Sequence, residues 1–413
     1  MRKICVYAGW MDTIPLIGTV YAEPKRSGGE VFSFQYDETW LKAMAESAAG
    51  QIDPELPMIY GRQHLTDPFK LIFGIFSDAC PDRWGRRLIQ REDKENGAAN
   101  RQLLESDYLL AVDDRTRMGA LRFKVSPEGD FLAENSDHPI PPVTDIRSLE
   151  AASIAFENRS PQTDLSWLKV LFEQGSSLGG ARPKANILDT DGSLWMAKFP
   201  SVSDEYDVGA WEMVAHDLAK LCGIEVMPAR LMRLSSHGST YLTKRYDRTG
   251  GKRVHFQSAM TMLGTSDREA AEKPFSYLDI GDRIEAVCAD PQRELRSLWQ
   301  RMTFNTMICN TDDHLRNHGF LWKDEKWQLS PAYDLNINLY RDNHQLTIDG
   351  EDAGRSFDLD MSVAEYFGVQ ESEAEAYISG ISRKASQNVK RLAGKYGVRK
   401  AELQDMTDRM LLE

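Results

Sequence analysis

Apolar and polar residues alternate over residues 3–7 and again over 14–21, two β-rich runs separated by a glycine-containing turn, and this pattern predicts an N-terminal hairpin. Phe32-Ser33-Phe34 continues the alternation, and residues 38–48 change to helical spacing, so the chain is expected to open with a small α+β region. Within residues 68–91 an apolar cluster (Leu71, Ile72, Phe73, Ile75, Phe76) precedes Trp84, Leu88 and Ile89. The arginines interleaved there (Arg83, Arg86, Arg87, Arg91) fit either a polyanion site or a solvated helix face. Composition shifts to Pro, Glu, Asp, Asn and Ser over residues 126–144, with Pro139, Pro141 and Pro142 close together, which marks the best linker candidate.

Beyond it, residues 185–188 and 194–199 flank Asp189-Thr190-Asp191-Gly192 and read as strand, turn and strand. Val208, Trp211, Val214, Ala215, Leu218 and Leu221 recur at helical spacing up to a stop at Gly223, and residues 231–234 and 240–243 form another strand pair. From Leu278 onward helical patterns dominate, apart from a short hairpin over 319–329. A sheet-rich half followed by a helix-rich half is the order expected of an α+β chain with two lobes around a cleft. The expected division is 1–130, 131–255 and 256–413.

The 413 residues carry 63 acidic and 50 basic side chains, which argues against a surface that tracks nucleic acid throughout and restricts any DNA contact to local patches or to a partner. Five scattered cysteines, never spaced C-x-x-C, fit a reduced compartment without a disulfide framework or zinc ribbon. The N-terminus lacks a secretory apolar core and no run reaches the length of a membrane span, so a cytoplasmic protein with no membrane contact is expected.

Candidate chemistry concentrates in Asn310-Thr311-Asp312-Asp313-His314-Leu315-Arg316-Asn317, followed beyond the short hairpin by Ala332-Tyr333-Asp334-Leu335. A carboxylate, an amide five residues later and a second carboxylate are the parts needed to direct a hydroxyl and hold Mg2+ against a nucleotide. In this reading Asp312 orients or accepts the proton, while Asn317 and Asp334 coordinate the metal. The D-x-x-x-x-N interval is that of protein kinases, although the preceding His-Arg is absent and Tyr-Asp-Leu stands in place of Asp-Phe-Gly. Asn310 and Asp312 are also good helix-capping residues.

A rival reading makes Asp312, Asp313, His314 and His318 the ligands of a metal hydrolase, but HLRNH lacks the glutamate of H-E-x-x-H. Upstream, the Gly/Ser-rich segment 174–184 contains Gly179, Gly180 and Lys184, which fit a phosphate-binding turn or a plain surface turn; it is not a Walker A loop. Lys198 lies on an apolar strand face and needs an anion or an exit to solvent. Glu212, on the following helix, is its expected partner in the Lys/Glu pair that holds ATP phosphates, the alternative being a snorkelling edge lysine.

Taken together, these residues resemble the HipA family of toxin-antitoxin serine/threonine kinases. The likeness is carried by Phe76 to Leu88 (FSDACPDRWGRRL), Leu109-Leu110-Ala111, Met118-Gly119-Ala120-Leu121, Ser177 to Lys184 (SLGGARPK), Lys198-Phe199-Pro200, Lys244 to Arg248 (KRYDR) and the two motifs of the preceding paragraphs. The resemblance implies a protein kinase-like fold with an extra N-terminal α+β subdomain and an all-helical C-terminal lobe, with ATP and Mg2+ as cosubstrates. It also implies autophosphorylation at Ser177, with Ser176 adjacent, and Tyr246 and Asp247 on the adenine and ribose side. Implied partners are a helix-turn-helix antitoxin, operator DNA reached mainly through it, and a translation component such as an aminoacyl-tRNA synthetase as substrate. Residues 255–259 lack the acidic pair of the more familiar members. A catalytically silent co-repressor scaffold and a small-molecule phosphotransferase are the alternatives.

Overall fold

The computed structural model describes residues 1–95, 102–132, 139–158, 165–175 and 180–412. Contacts divide the chain into two compact units. The first comprises Met1–Val202, Arg245–Arg268 and Leu321–Glu325, the second Ser203–Lys244, Glu269–Phe320 and Lys326–Glu413. The proline-rich stretch that suggested a boundary near residue 130 therefore lies inside the first unit.

The first unit is built on an antiparallel sheet of β1 (Arg2–Ala8), β2 (Leu16–Pro24), β3 (Glu30–Tyr36), β4 (Arg62–His64) and β5 (Leu121–Lys124), in the order β4-β3-β2-β1-β5. Alternate residues turn to one face, so Ile4, Val6 and Ala8, Phe32, Phe34 and Tyr36, and Leu121 and Phe123 share a core with Phe73, Phe76 and Leu109. A β-carbon at Gly18 would lie 2.2 Å from the Gln35 carbonyl oxygen, so only glycine lets β2 approach β3 there. The helix expected over 38–48 stops at Ala43, because the Trp40 indole donates to the Gly50 carbonyl at 2.9 Å and the chain must fold back to meet it. Helix α1 (Arg83–Glu95) buries Trp84, Leu88 and Ile89. Its arginines are used locally: Arg86 grips Glu105 through two bonds of 2.8 and 2.6 Å, and Arg91 reaches Glu95. Strands β6 (Lys184–Leu188) and β7 (Leu194–Lys198) form the expected hairpin, with Gly192 at φ 76° in its turn.

In the second unit, β8 (Ala229–Met232) and β9 (Thr240–Lys244) pair antiparallel. Helix α2 (Val208–Leu221) is capped by Asp207, which accepts from Ala210 N–H at 3.1 Å and from the Ser239 hydroxyl at 2.7 Å. Gly209 is the contact point: a β-carbon there would meet the Ser239 carbonyl oxygen at 2.1 Å. Helices α3 (Tyr277–Val287), α4 (Pro291–Ile308), α5 (Glu371–Lys395) and α6 (Lys400–Arg409) complete the unit. Its core gathers Trp211, Val214 and Leu218 of α2, Phe304, Met307 and Ile308 of α4, Ile381, Ala385 and Val389 of α5, and Met406 of α6. Helical patterning does not extend through the whole C-terminal half, since residues 330–356 contain no helix.

An ionic cluster inside the first unit replaces apolar packing at one point. Asp247 is fully buried and accepts from Arg245 (2.8 and 2.6 Å), Arg248 (2.7 Å) and the Gly119 N–H (2.7 Å). Burial raises this carboxyl, but the Arg245 and Arg248 charges outweigh it and hold it well below the ordinary carboxylate range. The Arg248 guanidinium also donates to the carbonyls of Arg115, Gly119 and Arg117. Removing the charge strands two buried guanidinium groups, so Asp247→Asn is expected to cost about 3–5 kcal/mol of stability at neutral pH. The depressed native value makes this stabilisation complete above the unfolded carboxylate pKa of about 4 and lost as pH falls toward the native value. Denaturant titrations of both forms should therefore differ most at neutral pH and converge in acid; a constant difference across the range would refute the assignment.

Candidate active site

In the second unit, α4 ends at Cys309, which takes the left-handed conformation (φ 59°) normally left to glycine. Its buried thiol donates to the Asn338 carbonyl at 3.1 Å, and Asn310 folds back to donate to Asn305 Oδ1 at 3.0 Å. The loop that follows separates its side chains by exposure. Thr311 and Asp313 are buried, while Asp312 between them is exposed.

Asp313 anchors the loop. Its carboxylate accepts from the Tyr277 hydroxyl (2.6 Å) and the Gln345 N–H (3.0 Å) and lies 2.8 Å from His344 Nδ1, and Asn305 donates to the Tyr277 oxygen at 3.2 Å. Burial acts to raise the Asp313 carboxyl, but the His344 charge and these hydrogen bonds prevail and leave it below its ordinary value. On the far side of the imidazole, Thr306 Oγ1 lies 3.1 Å from His344 Nε2 and donates to Asp360, whose burial pushes its carboxyl up to about 7.

Asp312 is held differently. One carboxylate oxygen accepts from the Gln345 side-chain amide at 2.5 Å and lies 3.7 Å from Arg341. Asn317, at the end of the turn Leu315–Asn317, donates its side-chain N–H to the Asp312 main-chain oxygen at 2.6 Å, closing the five-residue interval into a ring. That bond engages the amide nitrogen and leaves the amide oxygen outside it. The Tyr333 hydroxyl donates to the Arg316 carbonyl at 2.7 Å, tying the residue before Asp334 to the residue before Asn317.

Asp334 itself adopts φ 57° and accepts from Asn336 at 2.9 Å, while Ala332 is pinned to the Glu225 carbonyl at 2.8 Å. Glu212 is buried on α2. Burial, then the negative charges of Glu212 and Asp334, push the Tyr241 hydroxyl well above its ordinary value, so both carboxylates lie within electrostatic reach of one phenol.

Asn317 and Asp334 are hard oxygen donors of the kind Mg2+ takes, with phosphate and water supplying its remaining ligands. Among the described residues no group of three or more His, Cys, Asp or Glu side chains is gathered for a metal. The histidines of the hydrolase reading join no such group; His318 is buried edge-on against the Tyr277 ring at 5.3 Å.

In the first unit, Lys184 and Lys198 occupy directly opposed positions of the β6–β7 hairpin and are 5% and 6% exposed. Opposed residues share a sheet face, so the two lysines leave the hairpin on the same side. Gly180 (φ 85°) is clamped at both ends: its N–H donates to Asp82 at 2.6 Å and its carbonyl accepts from the Trp84 N–H at 3.1 Å. The Trp84 indole also donates to the Lys184 carbonyl at 2.9 Å. A β-carbon at Gly180 would stand 2.8 Å from Lys184 Nζ, so glycine makes room for the lysine.

Ser176, Ser177 and Gly179 lie outside the described residues. Tyr246 is half-buried and packs on Phe256, with ring centroids 5.8 Å apart. Asp247, expected beside a ribose, is instead the buried centre of the arginine cluster, with its acceptor capacity taken up inside the unit.

Sequence reasoning missed Tyr277, His344 and Gln345 because they belong to no local motif and reach the loop only through the fold. The adjacent Asp-Asp pair was a usable signal, since one of the two is buried and the other exposed.

Comparison with known proteins gives a consistent picture. The candidate kinase Y4dM of Sinorhizobium fredii is 31% identical over 159 residues, covering 35% of this chain and 37% of that protein. The serine/threonine-protein kinase toxin HipA of Shewanella oneidensis is 24% identical over 204 residues, 42% of this chain and 47% of that protein. The chain thus spans less than half the length of these curated relatives.

Among solved structures, HipA from the Shewanella oneidensis complex of HipA, HipB and operator DNA superposes with a TM-score of 0.67 at 15% identity, over 98% of this chain and 96% of that one. The α+β fold is therefore that of HipA. The profile of the HipA-like C-terminal domain matches residues 176–389, just over half of the chain. With that match spanning both lysines, the Asp312 loop and Asp334, the chain belongs to the HipA-like C-terminal domain family.

Proposed function

We propose that the protein is an ATP-dependent serine/threonine protein kinase and the toxin component of a toxin-antitoxin module. Lys184 and Lys198 neutralise ATP phosphates, Asn317 and Asp334 hold Mg2+, and Asp312 directs the acceptor hydroxyl. The observation that carries this reading is the Asn317 to Asp312 bond. It fixes a metal-binding amide and a solvent-facing carboxylate in one rigid turn, which a pair of helix caps does not require. Glu212 assists on the cofactor side, and Tyr246 contributes to the adenine side. Ser177 is the proposed autophosphorylation site, where a dianionic phosphoserine would compete with ATP phosphates for the same donors. Asp247 is left out of the binding set, since its role is met by the arginines around it.

The Shewanella oneidensis HipA, solved with HipB and operator DNA, supports a DNA-binding partner, and a helix-turn-helix antitoxin is the proposed one. An aminoacyl-tRNA synthetase is the proposed substrate class, by family resemblance. A silent co-repressor scaffold would gain no phosphoryl group on incubation with Mg-ATP, which intact mass detects directly.

Two outcomes test the assignment. Asp312→Asn should reduce autophosphorylation by at least about 100-fold while ATP affinity, read by calorimetry, stays within a few-fold of wild type; retained activity would remove Asp312 from the mechanism. Asn317→Ala should raise the Mg2+ concentration for half-maximal rate by about 10-fold or more, and an unchanged Mg2+ titration would refute its role as ligand.

A further inference from the structure

The segment carrying His344 and Gln345 does more than cover the loop, because one residue in it touches both aspartates. The Gln345 main-chain N–H donates to Asp313 Oδ1 at 3.0 Å, and its side-chain amide donates to Asp312 Oδ1 at 2.5 Å. The position of the main chain is fixed independently, since His344, one residue earlier, is buried with one ring nitrogen against Asp313 and the other facing Thr306. A rigid backbone therefore presents a neutral donor to one oxygen of an otherwise exposed carboxylate. A carboxylate on a single χ2 axis rotates freely unless one oxygen is pinned. Pinning Oδ1 sets where Oδ2 points.

We propose that Gln345 is a positioning residue for phosphoryl transfer: its amide pins Asp312 Oδ1, leaving Oδ2 as the oxygen that meets the acceptor hydroxyl. The inference rests on the reading of Asp312 as the residue directing that hydroxyl. A neutral amide suits this task, because a cation held as closely would weaken the carboxylate as a proton acceptor and a second carboxylate would repel it. Arg341, at 3.7 Å, contributes a looser contact from the same segment. The charged and titratable groups facing Gln345 and Asp312 here are Arg341, Asp313 and His344.

The test uses the full chain, with Mg-ATP and its own autophosphorylation as the assay. Gln345 is exposed, so Gln345→Leu is expected to fold, which its thermal unfolding would check. At saturating ATP the rate should fall about 10- to 100-fold, with the apparent KM for ATP unchanged, since the loss is of orientation at the reacting hydroxyl. A merely structural role would be seen instead in the thermal unfolding or in the apparent KM for ATP.

An unchanged or increased rate in Gln345→Leu, or a loss that falls on the apparent KM for ATP alone, overturns the proposal; an increase would mean that the amide obstructs Asp312. Asp312→Asn, measured in parallel, separates the failures. If it stays active, the kinase reading itself falls; if it is inactive while Gln345→Leu matches wild type, only the positioning role falls.

Discussion

The burial of Asp313 is the constraint from which the geometry of the candidate site follows. A carboxylate without solvent must be met by partners, and here three arrive from different parts of the second unit: the Tyr277 hydroxyl at the start of α3, and His344 and the Gln345 main chain from the irregular segment after Asp334. Those contacts hold α3, the end of α4 and residues 344–345 in mutual register. With Asp313 held inward, its neighbour Asp312 stays exposed. The Asn317 side chain then closes back on the Asp312 main chain and fixes the turn that follows.

Charge appears in two settings within the first unit. In the arginine cluster of the first unit, Asp247 is matched by guanidinium groups whose remaining donors find main-chain carbonyls, so charge is consumed internally. At the β6–β7 hairpin, two lysines are set opposite one another and both are buried. Asp247, matched by its arginines, therefore belongs to the fold.

Elements with a clear period were legible in the sequence. The N-terminal strands, the β6–β7 hairpin with its Asp-Thr-Asp-Gly turn, and α2 with its stop at Gly223 lie within a few residues of their expected positions. The helix beginning at Glu38 was read too long because its end is set by the Trp40 to Gly50 contact, which no local pattern encodes. For the same reason the division near residue 130 did not emerge: a Pro-rich composition reports local chain stiffness, while unit boundaries depend on contacts between distant segments. Asp312, Asn317 and Asp334 were visible as a spacing. Asp247 was visible only as a neighbour of Tyr246, and a carboxylate beside arginines in sequence gives no indication of whether it faces ligand or interior.

Residues 330–356 show why irregular structure can hold more functional information than the helices around it. Without a hydrogen-bonded ladder or helix to satisfy it, such a segment must find partners elsewhere, and each partner fixes it to a different part of the unit. Its main chain meets Glu225 at Ala332, and its side chains meet Arg316 through Tyr333, Asp313 through His344 and Asp312 through Gln345. A helix in the same place would have spent its main-chain donors on itself. The Gln345 N–H would then be unavailable to Asp313, and the carboxylate that orients the loop would lack one of its three partners.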